Sequence, residues 1–159
     1  MKKKEGEILK EGQIRITTPF GPSIAWAKIP LSLIDKLNTY IDEVIEDKKK
    51  SVSLDHGKQL VGDVTQEFVL EKKFSEEVGW TSFLKNGVNS WINYSTQRKV
   101  KKFELISTWV IRQFKNEYNP IHWHGGHISG VGYLKIPKNL GEPIQKGNKK
   151  DNPNGHIEL

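Results

Sequence analysis

At 159 residues the chain suits one domain with enough length to bury a core. Hydrophobic residues make up 35% and charged residues 28%, a globular but polar balance, and no apolar run approaches the ~20 residues that span a bilayer. There is no cysteine, which excludes disulfides and thiolate zinc sites. The formal net charge of +6 raises the question of nucleic acid. The lysines fall instead in short runs at residues 2–4, 48–50, 101–102 and 149–150, between apolar segments. Runs of that kind punctuate loops, and none is interleaved with aromatics, so nucleic acid is not an expected partner.

Residues 1–12 are polar and expected to fray, and Met1 to Glu7 lacks the apolar stretch of a signal peptide. With the missing cysteines, this places the expected location in the cytoplasm. Gln13 to Thr17 alternates weakly until Pro19-Phe20-Gly21-Pro22 breaks the pattern. Residues 24–29 (IAWAKI) read as a strand that Pro30 ends. From Leu31 the period changes. Leu33, Leu37, Tyr40, Ile41, Val44 and Ile45 recur at three- and four-residue spacing, which predicts a helix fading near Lys48, with Ser32 and Asp35 as its capping pair.

Residues 49–60 read as a loop, and residues 65–70 as a short strand. Ser75-Glu76-Glu77 supplies a cap and first-turn acids for a second helix. Its apolar stripe is Trp80, Phe83, Leu84, Val88, Trp91 and Ile92, read as a face packed on a sheet. After Lys102 the pattern becomes β. Phe103, Leu105, Trp109 and Ile111 fall on one face and Ile106, Val110 and Phe114 on the other, which predicts a central strand covered on both sides. Residues 128–136 read as a second strong strand. Residues 137–153 are rich in Gly, Pro, Asn and Lys and read as a long loop, and residues 155–159 as the start of another strand. Two helices before a block of strands define an α+β protein, with N-terminal helices packed on an antiparallel sheet.

The most informative stretch runs from Tyr118 to Tyr133. It holds three of the five histidines, His122, His124 and His127, within six positions. In an extended segment successive side chains alternate faces, so His122 and His124 point one way and Trp123 the other. Two imidazoles on one side of a strand can share a transition metal. Gly125 and Gly126 allow a bend or a close backbone approach, and the position of His127 depends on how they turn. His156 reads as a surface strand residue and His56 as a loop residue. Nucleophile chemistry has little support, with no cysteine, no Gly-x-Ser-x-Gly elbow and no P-loop.

Several segments resemble a known family: Asn116-Glu117-Tyr118-Asn119-Pro120, then His122-x-His124, then Ser129-Gly130-Val131 and Tyr133-Leu134-Lys135-Ile136-Pro137. They are similar to the iron(II)- and 2-oxoglutarate-dependent oxygenases common in marine phage and bacterial genomes, relatives of the prolyl-hydroxylase-like oxygenases. Upstream, residues 19–37 resemble the family's opening strand and first helix, and Leu60-Val61-Gly62 to Glu67-Phe68 its middle segment. The resemblance implies a double-stranded β-helix, or jelly roll, flanked by N-terminal helices. It also implies an Fe(II) centre with open positions for 2-oxoglutarate and O2, succinate and CO2 as co-products, and hydroxylation of a small-molecule or peptidyl substrate. On this reading His122 and His124 are metal ligands, and Tyr118 and Tyr133 hydrogen-bond the bound oxo-acid.

Two departures stand out. The family's local motif is His-x-Asp/Glu, and here the second position is His124. The family also places a distal histidine and a basic residue later, and the chain ends at Leu159 before either. The chain therefore reads as the N-terminal portion of a jelly-roll oxygenase, expected to be marginal, oligomeric or aggregation-prone because half a jelly roll leaves strand edges unpaired. One rival is a cupin-like metal-binding protein, which expects a Glu shortly after His-x-His, where residues 125–129 hold no carboxylate. The other is a non-enzymatic α+β binding or structural module.

Overall fold

The computed structural model describes residues 8–19, 21, 23–142, 152 and 154–157. The order of elements is β1 (Ile14–Thr17), β2 (Ile24–Ala27), α1 (Leu31–Glu46), α2 (Lys48–Leu54), β3 (Gln66–Val69), α3 (Lys72–Glu77), α4 (Trp80–Thr96) and β4 (Trp109–Arg112). A single 3-10 turn at Gly57–Gln59 lies between α2 and β3. The protein is α+β, with two small antiparallel sheets, β1–β2 and β3–β4, and four helices. The chain divides into two compact units, one up to Asn119 and the other from Pro120 onward.

In the first unit the helix α1 supplies most of the core. Leu33, Leu37, Tyr40, Ile41 and Val44 are buried, at the spacing that puts them on one stripe. Phe68 and Leu70 from the β3 segment and Ile29 complete the core. The hydroxyl of Tyr40 donates to a Glu71 carboxylate oxygen at 2.5 Å, and its ring stacks on Phe74 at 3.7 Å between centroids. Burial, together with the hydrogen bond to Glu71, raises the Tyr40 phenol above its ordinary range. The Ser32–Asp35 cap does not form. Pro30 holds the capping position, and its carbonyl accepts from the amides of Leu33 and Ile34, both at 3.0 Å. Proline suits a helix start because its missing N–H is not needed there.

Residues 48–54 are helical, where a loop was expected. Asp47 ends α1 in extended backbone and restarts the helix: its carboxylate accepts from the amides of Lys49 at 2.9 Å and Lys50 at 3.1 Å. That capping carboxylate outweighs the lysine run that reads as solvated coil. Ser75 is likewise not a cap but a buried residue inside α3. Gly79, at φ +92°, adopts the left-handed conformation that stops α3 and lets α4 set off in a new direction.

The helix α4 lies against β1 and β2, with its aromatic stripe partly covered and none of its residues buried. The Trp91 indole N–H donates to Ser23 Oγ at 2.7 Å, and the Ser23 and Ser95 hydroxyls pair at 2.9 Å. The two short strands pair in register from Ile14 opposite Ala27 to Thr17 opposite Ile24.

The expected long strand over residues 103–114 is reduced to β4. It pairs only with β3, from Gln66 opposite Arg112 to Val69 opposite Trp109. A ladder extends no further than its partner, and β3 is four residues long. The β4 strand is the edge of a two-stranded sheet, with Ile111 partly exposed and Phe114 beyond it half exposed, and not the central covered strand that its apolar faces predict. In the second unit residues 128–136 form no strand, and Val131, Tyr133 and Ile136 are exposed. No segment among the described residues pairs with them, and β pattern without a partner makes no sheet. Residues 155–157 are not a strand either, and residues 158–159, like most of the expected loop at 137–153 beyond Glu142, lie outside the described residues. No helix of the described residues is long and apolar enough to cross a membrane.

Candidate metal site

The second unit begins with the histidine pair. Pro120 turns its carbonyl onto His122, and the His122 Nδ1 lies 2.7 Å from that oxygen. A carbonyl can only accept, so Nδ1 carries a proton and the lone pair of the neutral ring sits on Nε2. The His122 Nε2 is 3.1 Å from His124 Nε2, and the rings meet edge to face at 80° with centroids 4.6 Å apart. The expected convergence of positions 122 and 124 occurs, although the segment is not part of a sheet. Both imidazoles are exposed, and Ile121 and Trp123, each 93% accessible, alternate with them.

The spacing of the two nitrogens has a direct chemical meaning. With metal–nitrogen bonds of about 2.1 Å, neighbouring ligands of an octahedron stand about 3.0 Å apart and those of a tetrahedron about 3.4 Å. The observed 3.1 Å corresponds to an angle of about 95° at a shared ion. The donor pair thus fits two adjacent positions of an octahedral ion. A carbonyl that accepts the Nδ1 proton and aims Nε2 outward is the usual second shell of a metal-bound histidine. Without a metal the same geometry is a hydrogen bond in which the His124 Nε2–H donates to His122.

Beyond the pair, Gly126 takes φ +92°, and His127 follows in the bend with its side chain exposed. Nothing lies within 4 Å of a methyl group built on Gly125, so that side of the turn is open. No group of three or more His, Asp or Glu among the described residues could hold a metal. At this place the two imidazoles are the donors that converge.

Tyr133 gives its hydroxyl proton to the Gly155 carbonyl at 2.6 Å, and burial pushes its phenol upward from the ordinary value. Its hydroxyl spans two segments of the second unit. Tyr118 belongs to the first unit, where it exchanges backbone hydrogen bonds with Asp63, and its ring is exposed. His156 is exposed. The His56 ring tilts against Trp109 at 5.6 Å, and its amide donates to the Glu67 carbonyl at 2.8 Å.

A second chemically loaded place was not singled out from the sequence. Glu67, in the middle of β3, is 1% exposed, and neither of its carboxyl oxygens has a hydrogen-bond partner among the described residues. Burial, then the nearby charges of Asp55 and Glu117, hold its carboxyl above the ordinary carboxylate range. Glu117 behaves oppositely. The Thr65 hydroxyl and amide and the Phe114 amide all donate to it and lower its pKa. An acid directly before the apolar run Phe68-Val69-Leu70 is the sequence sign of this cluster.

Comparison with known proteins finds no family model, no curated protein and no solved structure that matches this chain.

Proposed function

We propose that the protein is an iron(II)- and 2-oxoglutarate-dependent oxygenase, with His122 and His124 as two adjacent ligands of the metal, on a double-stranded β-helix scaffold. The observation that carries this reading is the 3.1 Å separation of two Nε2 atoms, with one ring locked in the ligand tautomer by the Pro120 carbonyl. Motif resemblance over residues 116–137 supports the choice of iron and 2-oxoglutarate over other metals and cosubstrates. Bound iron with its cosubstrate supplies the oxidising power that replaces a substrate C–H bond by C–OH.

The chain's own residues then have limited tasks. The two imidazoles hold the ion and leave its remaining positions to cosubstrate, dioxygen and any further ligand. The Pro120 carbonyl keeps the His122 lone pair on the metal side. Gly125 leaves open space beside the pair for a bound oxo-acid. Tyr133, in the same unit as the histidine pair, is the candidate hydrogen-bonding group for that acid, and the substrate is a small molecule or a peptidyl side chain.

Anaerobic titration with Fe(II), with and without 2-oxoglutarate, tests the reading. An oxygenase takes up the cosubstrate only when metal is bound and, on admission of air, releases succinate. A cupin-like protein binds Mn(II) or Ni(II) with no response to 2-oxoglutarate. A second reading, a non-enzymatic module in which the two rings only order a turn, draws on the want of a third donor among the described residues. It predicts no stoichiometric uptake of any of these ions.

A further inference from the structure

Glu67 poses a problem that neither the fold nor the histidine pair answers. A carboxyl group buried to 1% exposure needs partners for its oxygens, and an unmet one is destabilising. Gly57 opens a small space beside Glu67: a methyl group built on Gly57 would lie 3.3 Å from Asp55 Oδ1 and 3.5 Å from Glu67 Oε2. One carboxylate oxygen from the start of the 3-10 turn and one from β3 therefore flank the same gap. Asp55 is exposed, whereas the Glu67 carboxyl oxygens are closed to solvent. The Gly57 amide already donates to Asp55 Oδ1 at 3.0 Å, which pins that carboxylate toward the gap. Glu117 adds negative charge in the vicinity.

We infer that Asp55 and Glu67 bind a hard divalent cation of the Ca2+, Mg2+ or Mn2+ class in the space beside Gly57. Such ions take oxygen ligands, and Mg2+ in particular is commonly held by one or two carboxylates with water filling the other positions. Two carboxylates suffice for that mode. The cation satisfies the stranded Glu67 oxygens and offsets the repulsion among three acidic groups. This site uses oxygen donors of the first unit and is independent of the imidazole pair.

The test uses the whole chain and Tb3+, a luminescent stand-in for Ca2+ excited through tryptophan; the Trp109 ring lies 5.6 Å from that of His56, the neighbour of Asp55. The wild-type protein is expected to bind one Tb3+ ion, displaced by Ca2+. Glu67→Gln and Asp55→Asn should each weaken it about tenfold or more, the equivalent of about 1.4 kcal/mol. Gly57→Ala retains both carboxylates and a backbone that alanine accepts, but its methyl group narrows the gap, and it should lose affinity while keeping the wild-type circular dichroism. His122→Ala and His124→Ala should bind Tb3+ as wild type does. The inference is overturned if wild-type protein shows no saturable Tb3+ signal. It is equally overturned if folded Gly57→Ala or Glu67→Gln binds Tb3+ within twofold of wild type.

Discussion

Replacing Glu67 by glutamine in the absence of divalent cations should make the protein more stable, and increasingly so as pH rises. Glutamine retains the shape of glutamate and cannot ionise. The Glu67 carboxyl is held above its ordinary 4.5 by burial first and by Asp55 and Glu117 next. A raised folded-state pKa means the folded chain binds the proton more tightly than the unfolded one. The stability linked to that proton is fully present below pH 4.5 and is lost as pH climbs through the folded value. Each unit of elevation removes about 1.4 kcal/mol above both values, and an unsatisfied buried polar group costs about 1–3 kcal/mol. Urea unfolding of wild type and Glu67→Gln in EDTA, at pH 4 to 8 in roughly one-unit steps, should therefore show curves that nearly coincide at acid pH. The variant should lead at the alkaline end, by about 1.4 kcal/mol for each unit by which the folded-state pKa exceeds the ordinary one. A difference that stays constant with pH, or a variant less stable at pH 8, refutes the placement of an uncompensated carboxyl in the core.

Other outcomes follow from the same structure. Leu37→Ala empties the centre of the α1 stripe, where the side chain is 1% exposed, and should cost about 2–5 kcal/mol in urea unfolding. Trp91→Phe removes the indole donor to Ser23 and should lower stability by about 0.5–1.5 kcal/mol, with faster hydrogen exchange in the β1–β2 hairpin. Gly62→Ala should be destabilising by about 1–3 kcal/mol, because a methyl group there runs into the Asn119 side-chain amide; pairing it with Asn119→Ala should restore most of the loss. Glu117→Gln should lose stability at neutral pH but not in acid, since the carboxylate form is the one its donors favour, and that contribution disappears as pH falls below the ordinary value of 4.5.

Legibility in the sequence followed the physics of each element. Period and burial agree for α1 from Leu31 and for β3 around Phe68, while the stripe of α4 is helical as its spacing predicts but only partly covered. Caps were harder to read, because Asp47 as a helix restart and Pro30 as a helix start depend on two or three backbone hydrogen bonds and not on a repeating pattern. Strand length was harder still. Residues 103–108 and 128–136 have β pattern, but a strand exists only against an edge, and that edge is a non-local property. At the candidate site the His122–His124 pair was readable because a spacing of two brings side chains together locally. The Pro120 carbonyl that orients His122 was not, nor was the burial of Glu67, which depends on how β3 meets the turn at Gly57.

The central claim is that two imidazoles separated by one tryptophan grip a single divalent transition metal. Anaerobic calorimetric titration with Co(II), a redox-inert stand-in for Fe(II), addresses it most directly. One site is expected on the wild-type chain, weakened by roughly tenfold or more in His122→Ala and again in His124→Ala. The same variants should leave thermal stability without metal little changed, because both rings are exposed. Absence of a stoichiometric Co(II) site, or an affinity that His122→Ala leaves untouched, would contradict the account.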